Sequence, residues 1–269
     1  MNMTSVEFSS PSGVKALVDV PVPRDGGSIF VIGGHKTGST LLQKIVADIA
    51  KETGLPAIPV ESRVWSQGLA IKDWPRDLYV LLERDGYVFY SFRWLQKLPE
   101  VQGFGAARKI FLVRDPRDIA VSYYFSMAKS HVIPKGGRSR NQLMGLRKAA
   151  NILPIDEFIL AGHAGPILRN IERFASFLGD ERSTFYKYED VIYQKHEWVK
   201  SLCGDLGVTL SDDSIEEIAG RHDIFPEHED PGAHIRRVAP GGYREKLSDR
   251  AIDYIRAQHP VFFEKYGYG

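Results

Sequence analysis

Short apolar runs alternate with stretches of helical periodicity along this chain of 269 residues. Apolar runs of four to eight residues, bounded by turn signals, are typical of buried strands, whereas apolar residues every three or four positions are typical of helices. The pattern predicts four strands, at residues 28–33, 87–92, 109–115 and 183–190. Crossover helices would join them, so we expect an α/β fold of three layers (αβα) around a central, mostly parallel sheet.

The same pattern suggests where the domain begins. Residues 1–27 are polar and interrupted by prolines, so we predict a partly ordered N-terminal arm, followed by a single domain over residues 28–269. Within that domain, residues 222–247 contain too many prolines and glycines for regular structure. A long irregular segment in a compact domain is usually functional or disordered. We therefore predict a mobile loop there.

Composition narrows the class of protein. The 35 Lys and Arg residues nearly balance the 34 Asp and Glu residues, so no global field would recruit nucleic acid, and any basic site is local. The single cysteine excludes an internal disulfide framework and a cysteine-rich metal site. No apolar run is long enough to span a bilayer, and the N-terminus has no signal-peptide pattern. We expect a cytoplasmic protein and leave a homodimer open.

A glycine-rich turn, GGHKTGST, follows the first predicted strand at residues 33–40 and leads into a helix. Its glycines permit positive φ and close backbone approach. Successive N–H groups at the start of the helix then point at one anion, which the helix dipole also attracts. Lys36 adds a cation, and further donors come from Thr37, Ser39 and Thr40. The turn predicts a phosphate site, but Lys36 precedes Gly38, whereas a triphosphate loop has its Lys after the final glycine.

A second basic motif, RDPRDIAVS, ends the third predicted strand and begins the next helix. Arg114 stands at the carboxyl end of the strand, and Ser122 lies two turns into the helix. Ligands of open α/β sheets bind at the carboxyl ends of strands, and arginine forks onto phosphate oxygens. We predict a second phosphate site at Arg114 and Ser122, and we assign Arg117 and Asp118 to a surface ion-pair network.

Together these motifs resemble the sulfotransferases that use 3′-phosphoadenosine 5′-phosphosulfate. HKTGSTL at residues 35–41 is similar to their phosphosulfate loop PKSGTTW, and the spacing of Arg114 and Ser122 matches their 3′-phosphate motif. SYYFSMAKSH at 122–131 and FYKYED at 185–190 are close to two further family motifs, and IRRVAPGGY at 235–243 resembles their RKGxxGDW segment. The resemblance extends in order over about residues 28–246.

The resemblance implies in-line transfer of a sulfuryl group to a hydroxyl of a small molecule or glycan, without a metal. It places Lys36 at the bridging oxygen of the leaving group and Tyr188 beside the adenine. The loop at 222–247 would close over the nucleotide. The implied donor-binding residues are His35, Lys36, Thr37, Gly38, Ser39, Thr40, Arg114, Ser122, Tyr188, Arg236, Arg237 and Gly241.

The chain departs from the family at two positions. Leu41 replaces a Trp that stacks on adenine, and Phe92 or Arg93 stands where the catalytic His of a K-x-H motif ends the second strand. Another base must therefore take the proton of the acceptor. His131 is the first candidate, because it ends the Arg114–Ser122 helix and a histidine is largely neutral at pH 7. Glu61, after the first helix, is the second candidate.

Two other functions stay open at this stage. A P-loop kinase or nucleotide hydrolase needs a Lys after the final glycine and an acidic Mg²⁺ ligand, and the first is missing. A catalytically silent relative would keep the nucleotide site without the missing His. The histidines and carboxylates between residues 222 and 234 fit no familiar ligand spacing, so we predict no metal site.

Overall fold

The computed structural model describes residues 3–130, 138–224 and 238–269. Its strands are β1 (Met3–Ser9), β2 (Lys15–Pro21), β3 (Ile29–Gly33), β4 (Ala57–Pro59), β5 (Val88–Phe92), β6 (Arg108–Val113) and β7 (Ser183–Lys187). Strands β3 to β7 form one sheet in the order β4-β5-β3-β6-β7, and every adjacent pair in it is parallel. Helices accompany this sheet, so the predicted α/β fold is confirmed.

The described chain divides into two compact units. The first consists of Met1–Gly34, Gly38–Val113 and Phe177–Asp223, and contains the sheet. The second consists of His35–Thr37, Arg114–Ser176 and Ile224–Gly269, and is helical. The single domain over residues 28–269 stays a prediction.

The helices of each unit are as follows. The first unit contains α1 (Ser39–Thr53), α2 (Val60–Ser66), α3 (Arg76–Leu82), α8 (Tyr188–Val191), α9 (Lys195–Leu206) and α10 (Asp212–Arg221). The second contains α4 (Pro116–Phe125), α5 (Arg138–Ile152), α6 (Ile155–Leu160), α7 (Gly165–Glu172), α11 (Asp249–Gln258) and α12 (Val261–Glu264). Short 3-10 turns occur at Ile71–Asp73, Leu98–Glu100, Arg173–Phe177 and Gly242–Glu245, and a π-helical turn at Ser126–Ser130 continues α4. No helix in the described ranges is long and apolar enough to cross a membrane.

The central strands of the sheet consist of continuous apolar runs, which explains why they lie in its buried interior. All five residues of β3 and all five of β5 are buried, as expected of parallel strands that helices cover on both faces. The four predicted strands correspond to β3, β5, β6 and β7. The edge strand β4 has only three residues, one of them a proline, and the apolar pattern did not reveal it.

Residues 3–21, within the predicted partly ordered arm, form a regular antiparallel hairpin. Met3 pairs with Pro21 and Ser9 with Lys15. Alternate side chains of β2 are buried, at Ala16, Val18 and Val20, which is the period of a strand with one face on a core. The prolines and polar residues around this short alternation hid it in the sequence.

Candidate active site

The loop between β3 and α1 holds two residues in a left-handed conformation. Lys36 has φ 66° and Gly38 has φ 94°. Positive φ is uncommon for a residue with a side chain, and such strain is concentrated at functional sites. A Cβ on Gly38 would lie 2.8 Å from Cδ2 of Tyr188, whose ring is 5% exposed. The loop therefore requires glycine at position 38, both for its backbone and for its contact with Tyr188.

Helix α1 begins directly after this loop without a side-chain cap. Gly38 occupies the N-cap position, and the first turn contains no acidic residue. The first N–H groups of a helix have no partner within the helix, and together with the macrodipole they favour an anion. Ser39 and Thr40 add hydroxyl groups to the same turn. This end of α1 is therefore suited to an anion.

Arg114 lies next to the loop. Its Nη1 donates to the carbonyl oxygen of Lys36 at 3.4 Å, and its guanidinium is buried. The sheet explains the juxtaposition: Gly33 of β3 pairs with Leu112 of parallel β6, so both strands end at the same edge. Two of the predicted phosphate-binding residues, Lys36 and Arg114, are thus brought together.

Asp118 holds Arg114 and the chain near Gly241. Its Oδ2 lies 3.7 Å from Nη2 of Arg114 and accepts a hydrogen bond from the Gly241 N–H at 2.7 Å. Its Oδ1 accepts from the Tyr243 N–H at 3.1 Å. Asp118 is 3% exposed, so its assignment to a surface network was wrong. Asp118 and Ser122 are four residues apart in α4, a spacing that places them on one side of the helix, and Arg114 directly precedes this helix.

Arg117 is also buried rather than part of a surface network. Its guanidinium forms a two-point contact with the Asp115 carboxylate, with an Nη2–Oδ2 distance of 2.7 Å, and lies over the Tyr243 ring. Asp115 also accepts from the Arg117 backbone N–H and so caps α4, which begins at Pro116. These contacts fix the start of the helix that carries Asp118 and Ser122.

Glu61 lies in the first turn of α2, directly after β4, and is 9% exposed. Its Oε2 accepts hydrogen bonds from the backbone N–H groups of Arg93, at 2.9 Å, and Trp94, at 3.3 Å. Burial raises the pKa of the Glu61 carboxyl to about 7, against the two N–H donors and the Arg93 charge, which lower it. Glu61 is therefore a carboxyl that changes charge near neutral pH.

The other sequence-predicted residues are distributed as follows. Thr37 is buried, and His35 and Ser122 are half-buried. Gly241 has φ 82°. His131, Arg236, Arg237 and half of the predicted loop at 222–247 (residues 225–237) lie outside the described residues. His222 is described, and its Nε2 lies 2.9 Å from Oδ2 of Asp48; within the described part of the chain no cluster of His, Cys, Asp or Glu has the form of a metal site.

Comparison with known proteins identifies the family. Residues 27–224 match the family model of the sulfotransferase domain. The chain belongs to the sulfotransferase family. No curated protein sequence matches this sulfotransferase. The match decides against the kinase or nucleotide hydrolase that the sequence left open.

Solved structures agree on the fold. This sulfotransferase is similar to mouse sulfotransferase SULT7A1 complexed with PAP, with 16% identity, a TM-score of 0.59, and coverage of 90% of this chain and 84% of that one. It is also similar to retinol dehydratase in complex with androsterone and the inactive cofactor PAP, with 16% identity, a TM-score of 0.51, and coverage of 95% and 89%. At this identity the likeness concerns the fold.

The buried carboxyl of Glu61 yields a prediction for stability. Its pKa is about 7 in the folded chain against an ordinary 4.5, so the folded state holds a proton that the unfolded state loses between these pH values. Its contribution to stability is therefore greatest below pH 4.5 and is lost as the pH rises to about 7. At about 1.4 kcal/mol per pKa unit, the loss is at most about 3.5 kcal/mol.

Glu61→Gln removes this ionisation and keeps an oxygen for the two N–H donors. We expect the free energy of unfolding in urea to favour the variant over the original chain more at pH 8.5 than at pH 5. Glu100→Gln, which alters an exposed carboxylate paired with Lys97, is the control and should show little pH-dependent difference. An equal difference between Glu61→Gln and the original chain at both pH values would contradict the raised pKa.

Proposed function

We propose that this sulfotransferase moves a sulfuryl group from 3′-phosphoadenosine 5′-phosphosulfate to a hydroxyl group of a small molecule or glycan. The observation that carries the proposal is the arrangement around Lys36: a left-handed, uncapped loop at the start of α1, with Arg114 on the carbonyl oxygen of Lys36. A donor with a phosphosulfate at one end and a separate 3′-phosphate has one anion for the loop and another for Arg114. The two similar structures that contain PAP, the adenosine 3′,5′-bisphosphate product of such a donor, support this choice.

Each donor-site residue then has a distinct task. The N–H groups at the start of α1 and the hydroxyls of Thr37, Ser39 and Thr40 hold the phosphosulfate oxygens, beside His35 and Gly38. When bound, the donor supplies the sulfuryl group, and its adenosine bisphosphate is the leaving group. Lys36 provides positive charge where negative charge develops on the leaving group, which is the most effective use of a preorganised cation.

The 3′-phosphate would be bound by Arg114 and Ser122, with Asp118 orienting Arg114 and the backbone at Gly241. Arg236 and Arg237, which belong to the same sequence motif as Gly241, are proposed to add positive charge over the nucleotide. Tyr188 packs against Gly38 and is proposed to lie beside the adenine. The androsterone in the similar retinol dehydratase structure supports a small-molecule acceptor.

The acceptor's proton needs a base, and the geometry favours Glu61. Strands β4 and β5 are parallel neighbours, with Pro59 paired to Tyr90, so Glu61 and Arg93 both follow the carboxyl end of a strand. Glu61 thus stands beside the position where the family has its His. A carboxyl with a pKa of about 7 is matched to accept a proton at neutral pH. His131 is the second candidate.

Turnover and binding together test the function. The original protein should bind PAP in preference to ATP with Mg²⁺, and should transfer ³⁵S from the labelled donor to one or more acceptors in a screen of phenols, steroids and sugars. Lys36→Ala should lower kcat by about a hundredfold or more while changing donor affinity far less, because its charge matters most as the leaving group becomes negative. An unchanged kcat would remove Lys36 from the mechanism.

The proposed 3′-phosphate site is tested with two ligands. Arg114→Ala should weaken the binding of PAP about tenfold to a hundredfold, since it removes a charge-assisted contact. It should scarcely change the binding of adenosine 5′-monophosphate, which lacks the 3′-phosphate. Ser122→Ala should show the same pattern with a smaller loss. Calorimetric titration measures both constants, and an equal loss for the two ligands would place the 3′-phosphate elsewhere.

The base is tested by the pH dependence of turnover. With Glu61 as the base, kcat/KM should fall as the pH drops below about 7, because the carboxyl becomes protonated. Glu61→Gln should lower turnover about a hundredfold or more and abolish this acid limb. A phenol of low pKa should partly rescue it, since that acceptor ionises with less help. If His131→Ala shows these effects and Glu61→Gln does not, the base is His131.

A further inference from the structure

Strand β5 contains an irregularity directly before Arg93. Phe30 of β3 pairs with Phe89 and Ile32 pairs with Phe92, so β5 advances by three residues where β3 advances by two. The backbone of Ser91 accommodates the extra residue with φ 73°, one of two positive values among the described residues other than glycine. A bulge reverses the side to which the following residues point, and bulges occur often beside active sites. The direction of Arg93 is therefore set by this bulge.

The first turn of α2 holds the bulge in place. The Ser91 hydroxyl accepts a hydrogen bond from the Ser62 N–H at 3.1 Å. Next to it, Glu61 accepts from the backbone N–H groups of Arg93 and Trp94. The backbone on both sides of Phe92 is thus fixed by groups of α2, and the strained conformation of Ser91 is retained because these contacts oppose its relaxation.

The Arg93 side chain reaches the start of α1. Its Nη2 donates to Oγ1 of Thr40 at 3.3 Å. Thr40 is the second residue of α1, in the turn whose N–H groups face the proposed phosphosulfate. Arg93 is half-buried, and this burial lowers the pKa of its guanidinium. The negative charge of Glu61 opposes this effect on the pKa of Arg93.

We propose that Arg93 is a donor-binding residue, whose guanidinium binds the 5′ phosphate end of the donor together with the first turn of α1. The inference rests on the proposed function and extends it. Arginine is always charged and cannot accept a proton, but its planar fork matches two phosphate oxygens. Arg93 stands beside the position where the family has its proton-accepting His. In this chain the guanidinium, with its permanent positive charge, would contact the donor instead. Glu61, which contacts the backbone of Arg93, is left for the proton.

The test compares PAP with adenosine 3′-monophosphate, which lacks the 5′-phosphate. Arg93→Ala should weaken PAP binding about tenfold to a hundredfold, since a charge-assisted contact is lost, and should leave the affinity for adenosine 3′-monophosphate nearly unchanged. Arg93→Lys should be intermediate. Arg93→Gln keeps a hydrogen-bond donor for Thr40 but removes the positive charge. It should lose as much PAP affinity as Arg93→Ala, and it provides the test if Arg93→Ala folds poorly. All three variants keep the backbone N–H that binds Glu61.

Arg63→Ala is the matched control, because Arg63 belongs to α2 and its guanidinium is half-exposed and paired with Asp19. It should change neither affinity. Arg114→Ala should differ from Arg93→Ala by losing affinity for both ligands, because both carry the 3′-phosphate. If Arg93→Gln weakens the binding of PAP and of adenosine 3′-monophosphate equally, or weakens neither, Arg93 does not bind the 5′-phosphate. If the original protein itself fails to bind PAP, the proposed function fails, and this inference with it.

Discussion

The contact between Gly38 and Tyr188 is the constraint on which the proposed anion site at the start of α1 depends. Because the Tyr188 ring occupies the space of a Cβ at position 38, the chain must pass through this point as glycine in a left-handed conformation. Helix α1 then begins at Ser39 with no side chain placed to cap it. Its first N–H groups are consequently kept for an anion instead of an internal acceptor. A capping Asp or Ser at this position would stabilise the helix and remove the site.

The proposed 3′-phosphate site depends on the carboxylate of Asp118. Asp118 accepts from the N–H groups of Gly241 and Tyr243 and lies near the guanidinium of Arg114. A single buried charge thereby fixes both the arginine proposed for the 3′-phosphate and one end of the segment proposed to cover the nucleotide. A buried carboxylate is tolerated because two N–H donors and a cation compensate it. Loss of Asp118 would therefore disturb two parts of the site together.

The sequence predicted those features that local patterns determine. Apolar runs predicted β3, β5, β6 and β7, and glycines beside Lys36 predicted the loop. Glu61 could be named as a candidate base, but its burial, the positive φ of Ser91 and the backbone contacts of Asp118 could not be predicted, because they are products of tertiary packing. The absent His was visible in the sequence, but what Arg93 does in its place depends on a register shift between two strands. This register shift is visible only when β3 and β5 are paired in the structure.

The proposed roles of Glu61 and Arg93 are electrostatically linked. Burial raises the pKa of Glu61, the backbone N–H groups of Arg93 and Trp94 and the positive charge of Arg93 lower it, and the balance lies at about 7. An anion bound to Arg93 offsets the positive charge that Glu61 senses, so occupation of the donor site raises the proton affinity of the carboxylate. With Glu61 as the proposed base, donor binding would thus strengthen the group that receives the acceptor's proton. In this proposal charge neutralisation belongs to Arg93 and proton acceptance to Glu61, and the hydrogen bond from the Arg93 N–H to Glu61 connects the two residues.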